Sequence, residues 1–138
     1  MEDTEDAERL ELGDFKDKTC LTISEVAHIL QRKKEELEKE QSDFINDIFD
    51  KSLSYAKRFG GGLSYESSLD IKTTLARQTL ALKDSQDRKK LVSFQIAQLA
   101  NLMPGDAEEA ITLIPSLRVF DESEIEKILK DMETRKGY

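Results

Sequence analysis

The amino-acid sequence predicts an all-α protein, and three observations support this. Apolar residues recur at helical spacing along most of the chain, and the segments that carry them begin with capping residues and end at glycine or proline. A strand-like alternation occurs in one place, over residues 10–12. Charged residues make up 36% of the 138 positions and hydrophobic residues 38%, which indicates a thin helical layer that gains part of its burial from a neighbour.

The first twelve residues are strongly acidic. They contain six acidic side chains against Arg9 alone, and they supply −5 of the net charge of −8. Like charges at this density repel one another, so we expect a solvated tail. Leu10 and Leu12 alternate with a charged residue before Gly13, which favours a short strand. Because no second strand is evident downstream, this arm either adds to the sheet edge of another protein or leads into the first helix without regular structure.

Thr22 and Glu25 form the sequence signature of a capping box and predict the start of the first helix. Apolar residues then share one helical face as far as Leu30, and a mostly charged run follows over residues 33–40. The first half of this helix should therefore pack against other elements, and the second half should lie mostly in water.

A second helix is predicted from about Asp43 to Phe59. Its wide apolar face makes it the best candidate for the core, with Phe44, Ile45, Ile48, Phe49, Leu53, Ala56 and Phe59. The glycines at 60–62 should end it, since glycine adopts the left-handed conformation of a C-cap at little cost. A third helix from about Tyr65 to Leu82 and a charged loop through Lys90 should come next.

Two further helices are predicted between residues 94 and 114. The first carries an apolar stripe over residues 94–102 and stops at Pro104, which cannot continue a helix. Asp106 with Glu109 is an N-cap signature for the next helix. Pro115 ends that helix, because proline lacks the N–H group and clashes with the preceding turn.

The last helix should begin at Asp121, where Glu124 repeats the capping signature, and end near Lys136. A joint at residues 113–117 separates it from the preceding helix. These last helices carry almost no chemically reactive side chains, which favours a docking role over catalysis.

Candidate catalytic groups are few. His28 is the chain's one histidine, so a histidine-pair metal site or a Ser-His-Asp relay would need unusual substitutes. Cys20 is the one cysteine and cannot form an internal disulfide, which is typical of a reducing compartment. The glycines at 60–62 lack the Gly-Lys-Ser/Thr ending of a phosphate loop. Arg58, beside Phe59, either caps its helix or binds an anionic group of a partner. We therefore expect no catalytic, cofactor or metal site.

Charge and hydropathy disfavour further classes of function. A net charge of −8 argues against nucleic acid as the principal partner, because phosphate binding needs a concentrated basic surface. The basic triplets at 32–34 and 88–90 adjoin acidic residues, which favours a solvated surface. No apolar run approaches membrane-spanning length and the acidic N-terminus has no signal-peptide core. We expect a soluble intracellular protein without a membrane partner.

Several motifs in order along the chain carry a family resemblance. They are Leu10-x-Leu12-Gly13, Leu53-x-Tyr55-x-x-Arg58-Phe59, Phe94-x-x-Ala97-x-Leu99-x-Asn101-Leu102, Ala107-Glu108-Glu109-Ala110, Leu113-Ile114-Pro115-Ser116-Leu117 and Ile128-Leu129-x-Asp131. Over roughly residues 10 to 136 the chain resembles the fourth-largest subunit of RNA polymerase II, which has a more distant relative in archaeal RNA polymerase. It departs from that family at the glycines 60–62 and in the longer charged stretch 83–90.

The resemblance implies a fold in three parts. Residues 1–21 would form the acidic tail and an extended partner-binding arm, and residues 22–63 the N-terminal helices and a glycine hinge. Residues 64–138 would form a C-terminal HRDC-like helical domain.

The resemblance also implies a function. It is that of a non-catalytic stalk subunit of nuclear DNA-directed RNA polymerase II, without cofactors, paired with the seventh subunit, whose OB-type barrel makes most of the RNA contact. The heterodimer would dock on the core polymerase at the base of the clamp and favour the closed clamp of initiation. Family members are also linked to messenger RNA export and decay. The residues expected to bind the partner are apolar side chains on elements that cannot bury themselves: Leu10, Leu12, Leu21, Val26 and Leu30.

Two alternatives stay open. One is a stalk subunit of RNA polymerase III or of the plant polymerases IV and V. The joint at 114–117 and the lead at 10–13 favour polymerase II over III, but they do not separate it from the plant enzymes. The other is a stand-alone HRDC-like nucleic-acid-binding module, against which the net charge argues.

Overall fold

The computed structural model describes residues 6–15, 18–40, 47–60 and 63–136, and within them the chain forms six α-helices and one two-stranded antiparallel sheet. In chain order the elements are α1 (Ile23–Lys39), α2 (Asp47–Phe59), α3 (Tyr65–Arg77), β1 (Thr79–Ala81), β2 (Arg88–Lys90), α4 (Ser93–Leu102), α5 (Ala107–Leu113) and α6 (Glu122–Arg135). Short 3-10 helices cover Ala7–Arg9, Gly13–Phe15 and Pro115–Val119. The predicted all-α class is confirmed.

Helices start where the capping signatures predict. At α1 the Thr22 hydroxyl accepts a hydrogen bond from the Glu25 N–H at 3.1 Å, and the Glu25 carboxylate accepts one from the Thr22 N–H at 3.0 Å. At α5 the Asp106 carboxylate accepts from the Glu109 N–H at 2.8 Å. These bonds satisfy N–H groups that have no partner inside the helix.

Helices α3 to α6 share one hydrophobic core. Its members are Leu63, Ile71, Leu75, Leu80, Leu91, Ile96, Leu99, Ala100, Ala107, Ala110, Ile114, Leu117, Phe120, Ile125, Ile128, Leu129 and Met132. Helix α3 packs against α4 and α6, and α5 packs against α6 and the 3-10 helix Pro115–Val119. The domain division expected after residues 21 and 63 stays a prediction.

Helices α1 and α2 pack against each other as a thinner layer. Leu37, Leu53 and Ala56 are buried in this layer and do not belong to the main core cluster. The predicted first turn of the second helix, residues 43–46, lies outside the described residues. Among its described residues the layer thus buries few large side chains, which agrees with the high charged fraction of this part of the chain.

Gly60 allows the end of α2 to approach the start of α1. A Cβ atom at Gly60 would lie 3.1 Å from the carbonyl oxygen of Ala56 and 3.6 Å from the Cα of Ser24. Helix α2 ends at Phe59, as predicted, but Gly60 does not adopt the left-handed backbone expected for its C-cap. Close approach of backbones is therefore the reason for glycine here. The other two glycines, 61–62, lie outside the described residues.

The predicted third helix is too long. Helix α3 ends at Arg77, and the segment expected to complete it forms β1, which pairs antiparallel with β2. The end of the predicted charged loop, Arg88–Lys90, therefore forms strand β2. Leu80 of β1 enters the core, and backbone hydrogen bonds of 2.8 and 2.9 Å join residues 81–83 to residues 119–121. Tertiary pairing on both sides of β1 thus replaces the last helical turns.

The predicted strand around Leu10 is a closed loop in the free chain. Reciprocal backbone hydrogen bonds of 2.7 and 2.8 Å join Asp6 and Glu11, and Leu10 between them has a left-handed backbone with φ 58°. The loop packs on the 3-10 helix Pro115–Val119. These local bonds satisfy backbone groups that an isolated strand would leave unpaired. The acidic residues 1–5 lie outside the described part of the chain.

Candidate partner-binding surface

An apolar groove of about 440 Å³ lies between the start of α1 and α2. Its lining side chains are Leu21, Ile23, Val26, Leu30, Lys51, Ser52, Tyr55 and Ala56. Val26 and Leu30 lie one turn apart on α1, and Ser52 and Tyr55 lie about one turn apart on α2, so two helices form its walls. Lys51 is the one charged side chain among the described residues of this lining. The groove suits an apolar segment with a carboxylate at its edge.

Helix α2 presents an apolar stripe to solvent next to this groove. Ile48 is 76% exposed, Tyr55 60% and Phe59 50%, and their spacing places them on one helical face. Leu53 and Ala56 are buried. The prediction that the whole apolar face of the second helix belongs to the core is thus wrong for Ile48 and Phe59. A contiguous exposed apolar surface is typical of a protein interaction site.

Buried polar contacts fix the start of α1 against α3. Lys72 Nζ lies 2.8 Å from Glu25 Oε1 and donates to the Cys20 carbonyl oxygen at 2.8 Å. The hydroxyl oxygens of Thr22 and Ser68 are 2.6 Å apart. The Lys72 and Glu25 side chains are only 14% and 7% exposed, so water solvates both charges poorly. Each charge is stabilised by the other instead.

Helix α4 holds the same segment. Asn101 Oδ1 accepts from the Ile23 N–H at 2.8 Å, and Ser93 Oγ accepts from the Cys20 N–H at 2.8 Å. The Ser24 hydroxyl donates to the carbonyl oxygen of residue 63 at 2.9 Å. Residues 20–24 are therefore attached to both α3 and α4, and the α1 wall of the groove begins from a fixed base.

Three of the five predicted partner-binding residues meet in the groove. Leu21 is 47% exposed, and Val26 and Leu30 are half-buried beside it. Leu10 and Leu12 line a different cavity, near the 3-10 helix Pro115–Val119. The five residues therefore do not form one surface in the free chain.

The α2 wall was missed by sequence reasoning. Tyr55 and Ser52 were not among the candidate residues, although they line the groove opposite Val26 and Leu30. A signal was present: Tyr55 lies seven residues after Ile48 and four before Phe59, so three large apolar side chains share a stripe separate from that of Leu53 and Ala56.

Arg88 of β2 is paired within the chain. Asp121 caps α6 by accepting from the Ser123 N–H at 3.1 Å, which leaves Glu124 to accept from Arg88 Nη1 at 2.7 Å and from the Ala81 N–H at 3.3 Å. The Arg88 hydrogen bond, and then the Ala81 N–H, lower the pKa of Glu124 below its ordinary value. Arg88 also donates to Thr79. This basic side chain is thus committed to internal contacts.

His28 and Arg58 each lie against an aromatic ring. His28 stacks on Tyr65 with ring centroids 3.8 Å apart and planes at 6°. The Arg58 guanidinium carbon lies 5.3 Å from the centre of the Phe59 ring. Over the described residues, no group of three or more His, Cys, Asp or Glu side chains is arranged to hold a metal ion. No helix there is long and apolar enough to cross a membrane.

Comparison with known families identifies the family of the chain. A family model described as RNA polymerase Rpb4 matches residues 20–136, which include all six helices. The chain belongs to the RNA polymerase Rpb4 family. Rpb4 is a non-catalytic subunit of the polymerase, so the prediction that the chain is not an enzyme is confirmed.

Individual Rpb4 relatives align over most of their lengths. DNA-directed RNA polymerase II subunit 4 of Arabidopsis thaliana is 33% identical, over 99% of this chain and 97% of its own. Subunit rpb4 of Dictyostelium discoideum is 33% identical, over 91% and 84%. Subunit rpb4 of Schizosaccharomyces pombe is 28% identical, over 97% and 93%. The Rpb4 family match covers both walls of the groove, whereas the loop around Leu10 precedes it.

Proposed function

We propose that this chain is subunit 4 of a nuclear RNA polymerase II and forms the stalk of that enzyme as a heterodimer with the seventh subunit. The observation that carries the proposal is an uncovered apolar groove, with an exposed apolar stripe beside it, in a chain that aligns over nearly its whole length with proteins named RNA polymerase II subunit 4. Covering this surface removes apolar area from water, which stabilises the pair by roughly 25 cal/mol per Å² of apolar area.

The proposed interface has two parts. Leu21, Val26 and Leu30 receive an apolar segment of the seventh subunit in the groove, and Lys51 meets a carboxylate at its edge. Leu10 and Leu12 of the arm add backbone hydrogen bonds by pairing with a sheet edge of the same partner. The fixed attachment of residues 20–24 supports this arrangement, because a segment that is already held in place loses little conformational freedom on binding.

RNA contact belongs mainly to the seventh subunit in this proposal. Many basic side chains already have carboxylate partners in the free chain: Lys72 with Glu25, Arg88 with Glu124, Arg118 with Glu8, and Arg135 with Asp70 and Asp131. Paired cations attract phosphates weakly, and the net charge of −8 opposes nucleic acid further.

The cellular roles follow from the family resemblance. The heterodimer binds the core polymerase at the base of the clamp and favours the closed clamp in transcription initiation. The same resemblance supports roles in messenger RNA export and decay. Each of these roles requires the heterodimer, so pairing is the step to test first.

Co-expression with the seventh subunit tests the proposal. Size-exclusion chromatography with light scattering should give a one-to-one complex for the wild type. Leu21→Asp, which places a charge in the groove, should weaken it at least tenfold, because burying an unpaired carboxylate is costly. Leu102→Asp is the matched control, since Leu102 is also 47% exposed but lies at the end of α4.

The outcomes separate the candidate functions. A wild-type chain that stays monomeric beside the seventh subunit would contradict the proposal. If that monomer bound single-stranded RNA with a steep salt dependence, the stand-alone nucleic-acid-binding module would be favoured. Equal losses in Leu21→Asp and Leu102→Asp would place the interface elsewhere on the chain.

A further inference from the structure

In the free chain, the arm that should pair with the seventh subunit packs against the 3-10 helix Pro115–Val119 of the same chain. Leu10 and Leu12 line a cavity of about 520 Å³ together with Val92 and Val119, and both leucines are half-buried there. Both leucines are therefore already partly shielded from water before a partner is present.

An ion pair holds the arm at the same place. Glu8 Oε1 lies 3.3 Å from Arg118 Nη1 on the 3-10 helix Pro115–Val119. The Arg118 and Glu8 side chains are 57% and 58% exposed, so the pair is weak and screened by salt. A weak ion pair of this kind can keep the arm closed and can also break readily.

The closed arm is incompatible with a strand. The backbone N–H and C=O groups of Asp6 and Glu11 bond to each other, so they are not free for a sheet edge. Leu10 has φ 58°, whereas a strand requires a φ near −120° to −140°. A left-handed backbone is unfavourable for leucine, and opening relieves it.

We propose that the closed arm is a self-inhibiting conformation that competes with pairing to the seventh subunit. The inference rests on the proposed function, because it concerns the partner of the same arm. Only the open fraction of the chain can add its strand, so closure lowers the apparent affinity in proportion to that fraction. Pairing should therefore speed up when the contact between Glu8 and Arg118 is broken, and slow down when it is rebuilt.

A charge swap in the full-length chain tests this directly. The association rate with the purified seventh subunit is measured by stopped-flow fluorescence at low salt for wild type, Arg118→Glu and Glu8→Lys/Arg118→Glu. Arg118→Glu replaces attraction by repulsion and should raise the rate about two- to fivefold. The double variant restores an opposite pair and should return the rate to the wild-type value.

Two further measurements make each outcome decisive. Lys33→Glu changes the net charge equally at an exposed ion pair with Glu36 on α1, so it controls for general electrostatic steering. Hydrogen exchange at the amides of Asp6 and Glu11 reports whether the arm is open. An unchanged rate in a variant with unprotected amides would overturn the inference, and so would amides that stay protected in Arg118→Glu. Failure of the wild type to pair at all would contradict the proposed function instead.

Discussion

At the scale of single residues, Lys72 joins α3 to the start of α1 through two polar contacts. It bonds to Glu25 and to the Cys20 carbonyl at 2.8 Å each. Lys72→Met keeps the apolar stem and leaves the Glu25 carboxylate without its cation. We expect a loss of about 3 kcal/mol in the free energy of unfolding, because removing one member of a buried pair strands the other charge. Urea unfolding with linear extrapolation measures it.

Lys33→Met is the control for Lys72→Met. Lys33 lies 3.8 Å from Glu36, but both side chains are more than half exposed. Water solvates the two charges whether or not they are paired, so we expect a change below about 1 kcal/mol. Equal effects of the two lysine substitutions would show that the pair with Glu25 contributes no more than a surface contact.

Glu124 gives the sheet a predicted pH dependence. The Arg88 hydrogen bond lowers its pKa in the folded chain, so the folded state favours the carboxylate more than the unfolded state does. The resulting stability is complete above the unfolded pKa of about 4.3 and is lost as the pH falls through the lower folded pKa. Wild type should therefore be more stable than Glu124→Gln at pH 7, and this advantage should shrink towards pH 3.

Denaturant unfolding of both chains at the two pH values measures the change. Glu122→Gln is the control, because Glu122 is 63% exposed and lies 4.0 Å from Lys83. An advantage of wild type over Glu124→Gln that is the same at pH 3 as at pH 7 would contradict the assignment to the carboxylate charge.

These residue contacts could not be predicted from the sequence. Lys72 and Glu25 are 47 positions apart, and Arg88 and Glu124 are 36 apart. Each looks like part of an ordinary charged helix face or strand, because no local pattern says which distant side chain folding will bring to it. The capping half of Glu25's role was predictable, since its partner Thr22 lies three residues away.

At the scale of elements, the thin layer of α1 and α2 should open before the helices of the main core. Its buried apolar residues are few within the described chain, and residues 31–39 of α1 are exposed or half-exposed apart from Leu37. Amides in this half of α1 and in α2 should therefore exchange faster than those in α4 and α6 of the free chain. Hydrogen exchange with mass spectrometry measures this order, and uniform protection across the helices would contradict it.

Sequence patterns predicted elements well where local chemistry decides them. The starts of α1, α5 and α6 follow from side-chain caps at Thr22, Asp106 and Asp121. The strands β1 and β2 were missed because each has three residues and β2 is Arg-Lys-Lys, which carries no strand signal. The loop around Leu10 was missed because no sequence pattern indicates the bonds between Asp6 and Glu11 that close it, and because it packs on Pro115–Val119, more than 100 positions away.

At the scale of the whole molecule, the family could be predicted from ordered motifs, but only part of the groove that is proposed to bind the partner could be predicted. Leu21, Val26 and Leu30 were identified as apolar residues on elements that cannot bury themselves. Lys51 and Tyr55 complete the groove from α2, and both lie more than 20 positions after Leu30 in the sequence. A groove depends on how two helices pack together, and the periodicity of one helix does not predict that packing.

Hydrogen exchange of the chain, free and bound to the seventh subunit, tests the proposed groove interface without any substitution. We predict that binding slows exchange over residues 21–30 and 51–56, the two walls of the groove. Exchange within α5 and α6 should change little, because the interior residues of these helices are already buried in the chain's own core. Slowed exchange confined to α5 and α6, with both walls of the groove unchanged, would contradict the groove as the site of pairing.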